Sequence, residues 1–181
     1  MATLLYSATA SLDGFIAGPG GDMSWLTPHL GAPNPTADRL MARTTAILAG
    51  AVTFGGDDPN RGTDREGAFG GQWSGPVVVL THRPPAQAPD GVTFTDDLHH
   101  AVELVRAAAG DGTANVLGAD VARQLLAARL LDEVLLFFAP VLLGDGTRVL
   151  DVLGGTQVLL DRVPGETEHW YRVRYPDAPA G

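Results

Sequence analysis

Residues 117–151 read LGADVARQLLAARLLDEVLLFFAPVLLGDGTRVLD and contain the clearest succession of secondary-structure elements in the chain. The short apolar run Asn115–Leu117 predicts a buried strand that stops at Gly118. A helix is predicted from about Ala119 to Ala128, and Glu133 to Phe138 is predicted as the next strand. A strand, a helix and a second strand in this order are typical of an α/β protein with a parallel sheet.

The same alternation continues on both sides of this stretch. An amphipathic helix is predicted after Asp96 or Asp97, because its apolar positions follow the 3.6-residue period and stop at Gly110. A shorter helix over Ala37 to Arg43 is predicted to be capped by Thr36. The remaining strands are predicted at Leu4–Ala10, Ala46–Leu48, Val77–Leu80, Val92–Thr95, Gln157–Asp161 and His169–Tyr175. The whole chain is therefore predicted to be a single three-layer α/β domain (1–181), with a mostly parallel central sheet and an antiparallel C-terminal edge.

Composition excludes several classes of protein. The chain has 181 residues, no lysine among its 12 basic residues, no cysteine and a formal net charge of −9. Lysine and thiol nucleophiles and cysteine-ligated metal sites are therefore excluded, and the acidic charge argues against nucleic-acid binding. No apolar run approaches the roughly 20 residues that span a membrane, and the N-terminus lacks the basic start of a signal peptide. A soluble, cytoplasmic protein is expected, with the composition of GC-rich bacteria.

Three strand-to-loop transitions could bind a ligand, because ligands of open α/β sheets bind outside the carboxyl ends of the strands. They are Leu48–Thr53, Leu80–Arg83 and Val116–Asp120. A glycine before a helix lets a phosphate approach the free N–H groups of the helix N-terminus. Each transition taken singly is common in α/β proteins, but three in order, with an arginine on the middle one, favour a nucleotide.

Four segments together resemble the dihydrofolate-reductase-like family, which includes the reductase domain of the bifunctional riboflavin-biosynthesis deaminase–reductases. They are SLDGFIAGPGGDMSWL (11–26), the strand that ends at Gly50, VVVLTHRPP (77–85) and residues 117–151. The resemblance extends from about Leu4 to Tyr175. It implies an NADPH-binding reductase in which cofactor and substrate meet in a cleft over the sheet. It also implies a homodimer, since members of this family commonly join their sheet edges.

The resemblance assigns the ligand-binding positions residue by residue. The cofactor's pyrophosphate would meet the turn at Gly50 and Thr53, and its 2′-phosphate would meet Thr81 and Arg83. The assigned cofactor-binding residues are Gly50, Ala51, Val52, Thr53, Leu80, Thr81, Arg83, Leu117, Gly118, Ala119, Asp120 and Val121, and the assigned substrate-binding residues are Ser11, Leu12, Gly14 and Trp25. Two positions depart from the family pattern, with Ala51 in place of an arginine and Leu117 in place of a glycine. Arg83 would therefore carry more of the 2′-phosphate contact.

Two carboxylates are candidates for the catalytic proton donor. Asp13 lies in the loop after the first strand, and Asp38 is the only acid on the first predicted helix. The spacing from Asp38 to Gly50 is shorter than in dihydrofolate reductase, and a solvated or capping aspartate is the competing interpretation.

Three functions follow from these residues. The leading hypothesis is an NADPH-dependent reductase that transfers a hydride to a small planar, heteroaromatic substrate. The alternative is a non-enzymatic binding protein on the same scaffold, in which Ala51 and Leu117 mark a degraded nucleotide site. A metal-dependent hydrolase would need Asp57, Asp58 and His82, which the sequence does not bring together; no metal site is predicted, and a turn role is favoured for the two aspartates.

Residues 55–76 form a long glycine-rich stretch that is predicted to be a loop and to close over the ligand. Trp25 and Trp73 each lie in a glycine-rich loop, where they could form a flat wall for a ring or anchor the loop to the core. His99 and His100 are neighbours near a helix start, so they point to different sides and are predicted to be surface residues.

Overall fold

The structure is a computed structural model that describes residues 1–56, 58, 60–152, 154–155, 157–166 and 168–176. The four helices are α1 (Pro35–Arg43), α2 (Ala51–Gly55), α3 (Leu98–Ala109) and α4 (Ala119–Ala127). The strands are β1 (Thr3–Ser11), β2 (Phe15–Ala17), β3 (Thr44–Gly50), β4 (Val77–Leu80), β5 (Val92–Thr95), β6 (Thr113–Leu117), β7 (Glu133–Ala139), β8 (Thr147–Arg148), β9 (Leu159–Arg162) and β10 (His169–Arg174). Two short 3₁₀ segments, Pro19–Gly21 and Ser24–His29, follow β2.

Eight of these strands form one sheet in the order β5-β4-β3-β6-β1-β7-β10-β9. The strands from β5 to β7 are parallel, and β10 and β9 continue the sheet antiparallel. Helices cover the sheet, so the predicted fold class, a three-layer α/β architecture with an antiparallel C-terminal edge, is confirmed. Strands β2 and β8 form a separate two-stranded antiparallel sheet, which was not predicted.

The two faces of the sheet are buried against different elements because successive side chains on a strand point to opposite sides. Leu4 and Tyr6 of β1 pack on one face with the apolar residues of α3 and α4. Leu5 packs on the other face with Leu40 of α1 and with Trp170, which is fully buried.

Helix ends follow capping chemistry, and one predicted cap was wrong. Asp97 caps α3, as predicted, by accepting a hydrogen bond from the backbone N–H of His100 at 2.7 Å. For α1, the cap is Asn34 instead of Thr36: its Oδ1 accepts from the N–H groups of Thr36 and Ala37, both at 3.1 Å. The helix therefore begins at Pro35, a residue that fits the first helical position because it has no N–H to satisfy.

The pairing of β1 changes along its length, and this positions the site. Against β6, β1 is paired only from Thr3 to Tyr6, the last pair being Tyr6 with Val116. Against β7 it stays paired as far as Ser11. Strands β1 and β6 therefore separate at Ser7, on the edge of the sheet where the parallel strands have their carboxyl ends. A gap between adjacent strands at this edge is where open α/β sheets bind ligands.

Candidate functional site

Two glycine turns lie side by side at the carboxyl edge of the sheet, because Ala49 of β3 pairs with Leu117 of β6. Gly118 has φ +102°, and a Cβ at this residue would lie 2.4 Å from Thr53 Oγ1. Gly50 is similarly close to its neighbour, with its ideal Cβ position 3.1 Å from a methyl group of Val121. The two turns can lie this close to their neighbours only because neither residue has a side chain.

The N-terminus of α4 adjoins these turns, and among the described residues no side chain caps its first backbone N–H groups. Gly118 is the capping residue, and it offers no side chain to the first N–H groups of the helix. Asp120, in the first turn, is hydrogen-bonded along the helix to Arg123 and to Gln124 Nε2. Exposed helix N–H groups next to glycines attract anions such as phosphate.

Beside the first turn lies an apolar pocket of about 260 Å³. Its lining residues are Ala51, Phe54, Val79, Thr81, Arg83, Pro85 and Phe94. The rings of Phe54 and Phe94 meet edge to face, with centroids 5.7 Å apart. Such a pocket suits a planar aromatic ring.

Arg83 is the charged residue of this pocket. Its backbone N–H donates to Thr81 Oγ1 at 3.1 Å, which holds the loop in a short turn after β4. Within the part of the chain that the structure describes, no carboxylate pairs with its guanidinium. An arginine free of internal ion pairs at the mouth of an apolar pocket can bind a phosphate on the ligand.

Asp13 is placed as a hydrogen-bond acceptor. Its carboxylate accepts from Ser11 Oγ at 2.6 Å and from the N–H groups of Leu143 at 3.1 Å and Gly144 at 2.7 Å. The Ser11 hydroxyl, followed by the two backbone N–H groups, lowers the pKa of Asp13 from 3.8 to about 2. Asp13 is therefore ionised near neutral pH and does not fit the predicted role of proton donor.

Asp38 lies on the exposed side of α1. The buried side of this helix carries Thr36 and Leu40 and faces the sheet. Of the two competing interpretations, a solvated aspartate agrees with this exposure, whereas a capping role does not hold because Asn34 caps the helix.

The predicted substrate-side residues lie at the end of β1 (Ser11), in the loop that follows it (Leu12 and Gly14) and in the second 3₁₀ segment (Trp25). The hydroxyl of Ser11 is buried, and it also accepts from the N–H of Phe15 at 2.9 Å. Leu12 is exposed, and Gly14 has φ +90°, a conformation that favours glycine. Trp25 is half-buried, and its Nε1 has no hydrogen-bond partner among the described residues. Of the predicted cofactor-binding residues, Val52 is strongly exposed.

The glycine-rich loop is attached to the α1 side of the sheet at two points. Trp73 Nε1 donates to the carbonyl of Thr44 at 2.9 Å, and Phe69 packs against the cluster around Leu40. Trp73 thus anchors the loop, which is the second of the two roles predicted for it from the sequence. Asp58 accepts from the N–H groups of Asn60 and Gly67, which is the turn role. Asp57 lies outside the described residues, and the described residues include no cluster of three or more potential metal ligands.

Sequence reasoning missed two groups of residues at this edge. Phe54, Pro85 and Phe94 line the apolar pocket, but they come from three separate segments. Ser7 and Asn115 form a buried hydrogen bond of 2.8 Å between adjacent strands. The signal for Asn115 was an amide in a short apolar run, whereas Ser7 gave none because β1 also carries Thr3, Thr9 and Ser11.

The comparisons with known proteins agree with the α/β fold described above. A family model described as the RibD C-terminal domain matches residues 2–167. The chain belongs to the RibD C-terminal domain family. No curated protein matches it in sequence. As a RibD C-terminal domain it falls among reductase domains, and its activity class is that of an oxidoreductase.

Solved structures share the fold of this RibD C-terminal domain. A protein assigned to riboflavin biosynthesis from Shewanella sp. PV-4 has a TM-score of 0.65 and 22% identity, with 96% of this chain and 97% of that chain covered. The diaminohydroxyphosphoribosylaminopyrimidine deaminase/5-amino-6-(5-phosphoribosylamino)uracil reductase of Thermotoga maritima has a TM-score of 0.61 and 20% identity, with 95% of this chain and 55% of that chain covered. Dihydrofolate reductase from Enterococcus faecalis, complexed with NADP(H) and RAB-propyl, has a TM-score of 0.53 and 16% identity, with 94% of this chain and 92% of that chain covered.

None of the helices that the structure describes is both long and apolar enough to cross a bilayer.

Proposed function

We propose that the protein is an NADPH-dependent reductase that transfers a hydride to a small planar, heteroaromatic substrate. The observation that carries this proposal is the contact between the glycine turns at Gly50 and Gly118, next to the pocket that contains Arg83. Membership of a family of reductase domains supports it, as does the shared fold with a dihydrofolate reductase that was solved with NADP(H).

The residues at the carboxyl edge fit the parts of this cofactor. The adenine ring would enter the pocket that Phe54 and Phe94 line, with the 2′-phosphate of the adenosine ribose near Arg83 and Thr81. The pyrophosphate would lie on the two glycine turns, where a side chain at Gly118 would collide with Thr53. The nicotinamide would then lie towards the point where β1 and β6 separate.

The chain's own part in the reaction would be positioning. NADPH, when bound, supplies the hydride, so the protein needs no nucleophile, in agreement with the absence of lysine and cysteine. The loop after β1 would hold the substrate ring against the nicotinamide and exclude water. Asp13 is ionised and held by three internal hydrogen bonds, and Asp38 lies on the exposed side of α1, so the proton would come from water.

Calorimetric titration with NADPH and NADH tests the cofactor directly. We expect Arg83→Ala to weaken NADPH binding about 10- to 100-fold, because a charge-assisted contact with the 2′-phosphate is lost. NADH lacks this phosphate, so its affinity should change little. Arg174→Ala is the matched control, since it removes the same charge from a residue of β10 whose guanidinium pairs with Asp161 of β9.

Three results would contradict the proposal or one of its parts. No heat and no thermal shift with either nucleotide would overturn the reductase. Equal losses of NADPH and NADH affinity in Arg83→Ala would remove the 2′-phosphate role from this residue. A wild-type chain that binds aromatic ring compounds but neither nucleotide would favour the alternative, a non-enzymatic binding protein. The observation behind that alternative is that Ala51 and Leu117 replace the arginine and the glycine that the family pattern has at these positions.

A further inference from the structure

Two side-chain polar atoms among the described residues are buried without a hydrogen-bond partner, Trp25 Nε1 and Asn115 Nδ2. Both atoms are donors, so what each lacks is an acceptor. A buried donor left unpaired destabilises a folded chain, and natural proteins retain one only for a reason. Asn115 is the more informative of the two, because its surroundings are fixed by strand pairing.

Asn115 lies in the middle of the sheet, in β6 between β3 and β1. Its neighbours in register are Ile47 on β3 and Leu5 on β1, and its own exposed fraction is 1%. Its Oδ1 accepts the hydroxyl of Ser7, which is itself 9% exposed. The serine therefore occupies the acceptor end of the amide and leaves the donor end unpaired.

This pair lies at the point where β1 and β6 separate. Ser7 is the first residue of β1 beyond the paired segment, and the hydrogen bond to Asn115 spans the two strands there. The next residues on the same face, Thr9 of β1 and Leu117 of β6, are half-buried. Ser7 and Asn115 therefore lie at the closed end of the gap between the two strands, two residues before Thr9 and Leu117.

A purely structural role does not explain this arrangement. If Asn115 only joined the two strands, an apolar pair at these positions would do so without an unpaired donor. An asparagine whose amide is held at its oxygen by Ser7, with its donor end unpaired at the closed end of the gap between two strands, is suited to orient a ligand.

We propose that Asn115 is a positioning residue that donates a hydrogen bond from Nδ2 to an amide-type carbonyl oxygen of the bound ring, with Ser7 fixing the orientation of its amide. The inference rests on the proposed function and adds the chemistry that the ring must offer. Two sources of such an oxygen exist in that reaction, the carboxamide of the nicotinamide and a ring carbonyl of the substrate.

The double variant Ser7→Ala/Asn115→Leu tests this, because it removes both polar partners together and leaves no orphaned group. The probes are NADPH, its thionicotinamide analogue, whose sulfur is a weak acceptor, and 5,6-diaminouracil, which offers ring carbonyls. We expect the double variant to lose about tenfold in affinity for one of the carbonyl probes, as the loss of one hydrogen bond predicts. Its thermal midpoint should equal or exceed that of the wild type.

The analogue identifies the source of the oxygen. A loss for NADPH with no loss for the thio analogue assigns the acceptor to the carboxamide. A loss for 5,6-diaminouracil, measured with NADPH present, assigns it to the substrate. Unchanged affinities for both carbonyl probes in a folded double variant would overturn the inference and leave the proposed function intact. A wild-type chain that does not bind NADPH would overturn both.

A second measurement needs no substitution, in case the double variant does not fold. The chain contains three asparagines, Asn34, Asn60 and Asn115. Protein labelled with ¹⁵N-asparagine therefore gives three side-chain amide signals, and Asn34, the cap of α1, is the internal reference. We expect the Asn115 amide protons to shift downfield on saturation with NADPH, or with NADPH and 5,6-diaminouracil. An unmoved Asn115 signal in both saturated states would contradict the hydrogen bond.

Discussion

Gly118 is the residue where backbone conformation and ligand site are most closely linked. Its φ of +102° disfavours any side chain, and a Cβ would lie 2.4 Å from Thr53 Oγ1. We expect Gly118→Ala to lower the free energy of unfolding by about 1–3 kcal/mol, from backbone strain and the collision. NADPH affinity should fall as well, because the two turns are pushed apart. Calorimetry and thermal unfolding measure the two effects.

Gly110→Ala separates strain from collision. Gly110 also has a positive φ, of 62°, but it ends α3 and no atom lies within 4 Å of its ideal Cβ position. This control should lose stability and keep its NADPH affinity. Thr53→Ala added to Gly118→Ala removes the colliding hydroxyl and should restore part of the stability. If Gly118→Ala bound NADPH like the wild type, the turn would have no role in the cofactor site.

Asp13 provides a pH-dependent prediction. Its pKa falls from 3.8 to about 2 in the folded state, so the carboxylate stabilises the fold above pH 3.8 and this contribution is lost as the pH falls towards 2. Asp13→Asn offers a single acceptor oxygen to donors at Ser11, Leu143 and Gly144. We expect its thermal midpoint to lie below that of the wild type at pH 7 and the gap to close towards pH 2.

Asp38→Asn is the matched control, since it removes a carboxylate from an exposed helix face without those contacts. Its midpoint should follow that of the wild type across the pH range. A gap for Asp13→Asn that stayed constant down to pH 2 would show that the carboxylate charge does not stabilise the loop after β7.

At the scale of elements, the glycine-rich loop is the segment whose movement can be measured. Trp73 and Phe69 attach it to the α1 side of the sheet, which leaves Arg61 and Arg65 exposed. Because the chain has no lysine, trypsin cuts it only after arginine. We expect NADPH to slow cleavage after Arg61 and Arg65 several-fold, since closure on the ligand orders the loop.

Cleavage after Arg148, outside this loop, is the internal reference and should change less. Mass spectrometry of the early fragments gives both rates from one digest. Equal rates at all three sites with and without saturating NADPH would argue that the loop does not act as a lid.

The elements that could be predicted from sequence are those whose signals are local. The apolar period of α3 and its Asp97 cap gave that helix correctly, and the run Val77–Leu80 gave β4 to the residue. The predicted start of β3 at Ala46 was two residues late, because Thr44 and Thr45 directly follow the last residue of α1 with no turn residue between them. They are in the strand because neighbouring strands pair with it, which single-sequence patterns do not report.

The same reasoning explains the wrong cap of α1. Asn34 and Thr36 are both capping residues, separated only by Pro35. Proline suits the first helical position, so its presence moves the start of the helix back to Asn34. The two-stranded sheet of β2 and β8 was missed for a different reason. Its strands are about 130 residues apart in sequence and pair over only a few residues.

At the scale of the whole molecule, the site also has parts that could be predicted from the sequence and parts that could not. The turns at Gly50 and Gly118 could be found because each lies in a local strand–glycine–helix pattern. The apolar pocket and the pair of Ser7 and Asn115 could not, because their members meet only through the order of strands in the sheet. A residue's place in a parallel sheet depends on crossover connections, which leave no local trace in the sequence.

The C-terminal edge of the sheet offers a surface for a second copy of the chain. Strand β9 is the last in the order of the strands that the structure describes, where it pairs with β10 only, and Leu160 is 48% exposed. On the same side, Phe138 stacks edge to face on His169 at 5.1 Å, and His169 lies against Tyr171. An exposed edge with apolar residues beside it is a favourable place for strand addition.

We therefore propose a homodimer joined through this edge and expect light scattering at micromolar concentration to give twice the chain mass of 18.9 kDa. Leu160→Glu should produce a monomer, because two like charges would face each other across a two-fold interface. Leu30→Glu, at an exposed leucine near α1, is the matched control and should remain dimeric. Since the proposed cofactor site lies at the carboxyl edge of the other strands, the monomeric variant should still bind NADPH. A wild-type mass of one chain would contradict the dimer, and a dimeric Leu160→Glu would place the interface on another surface.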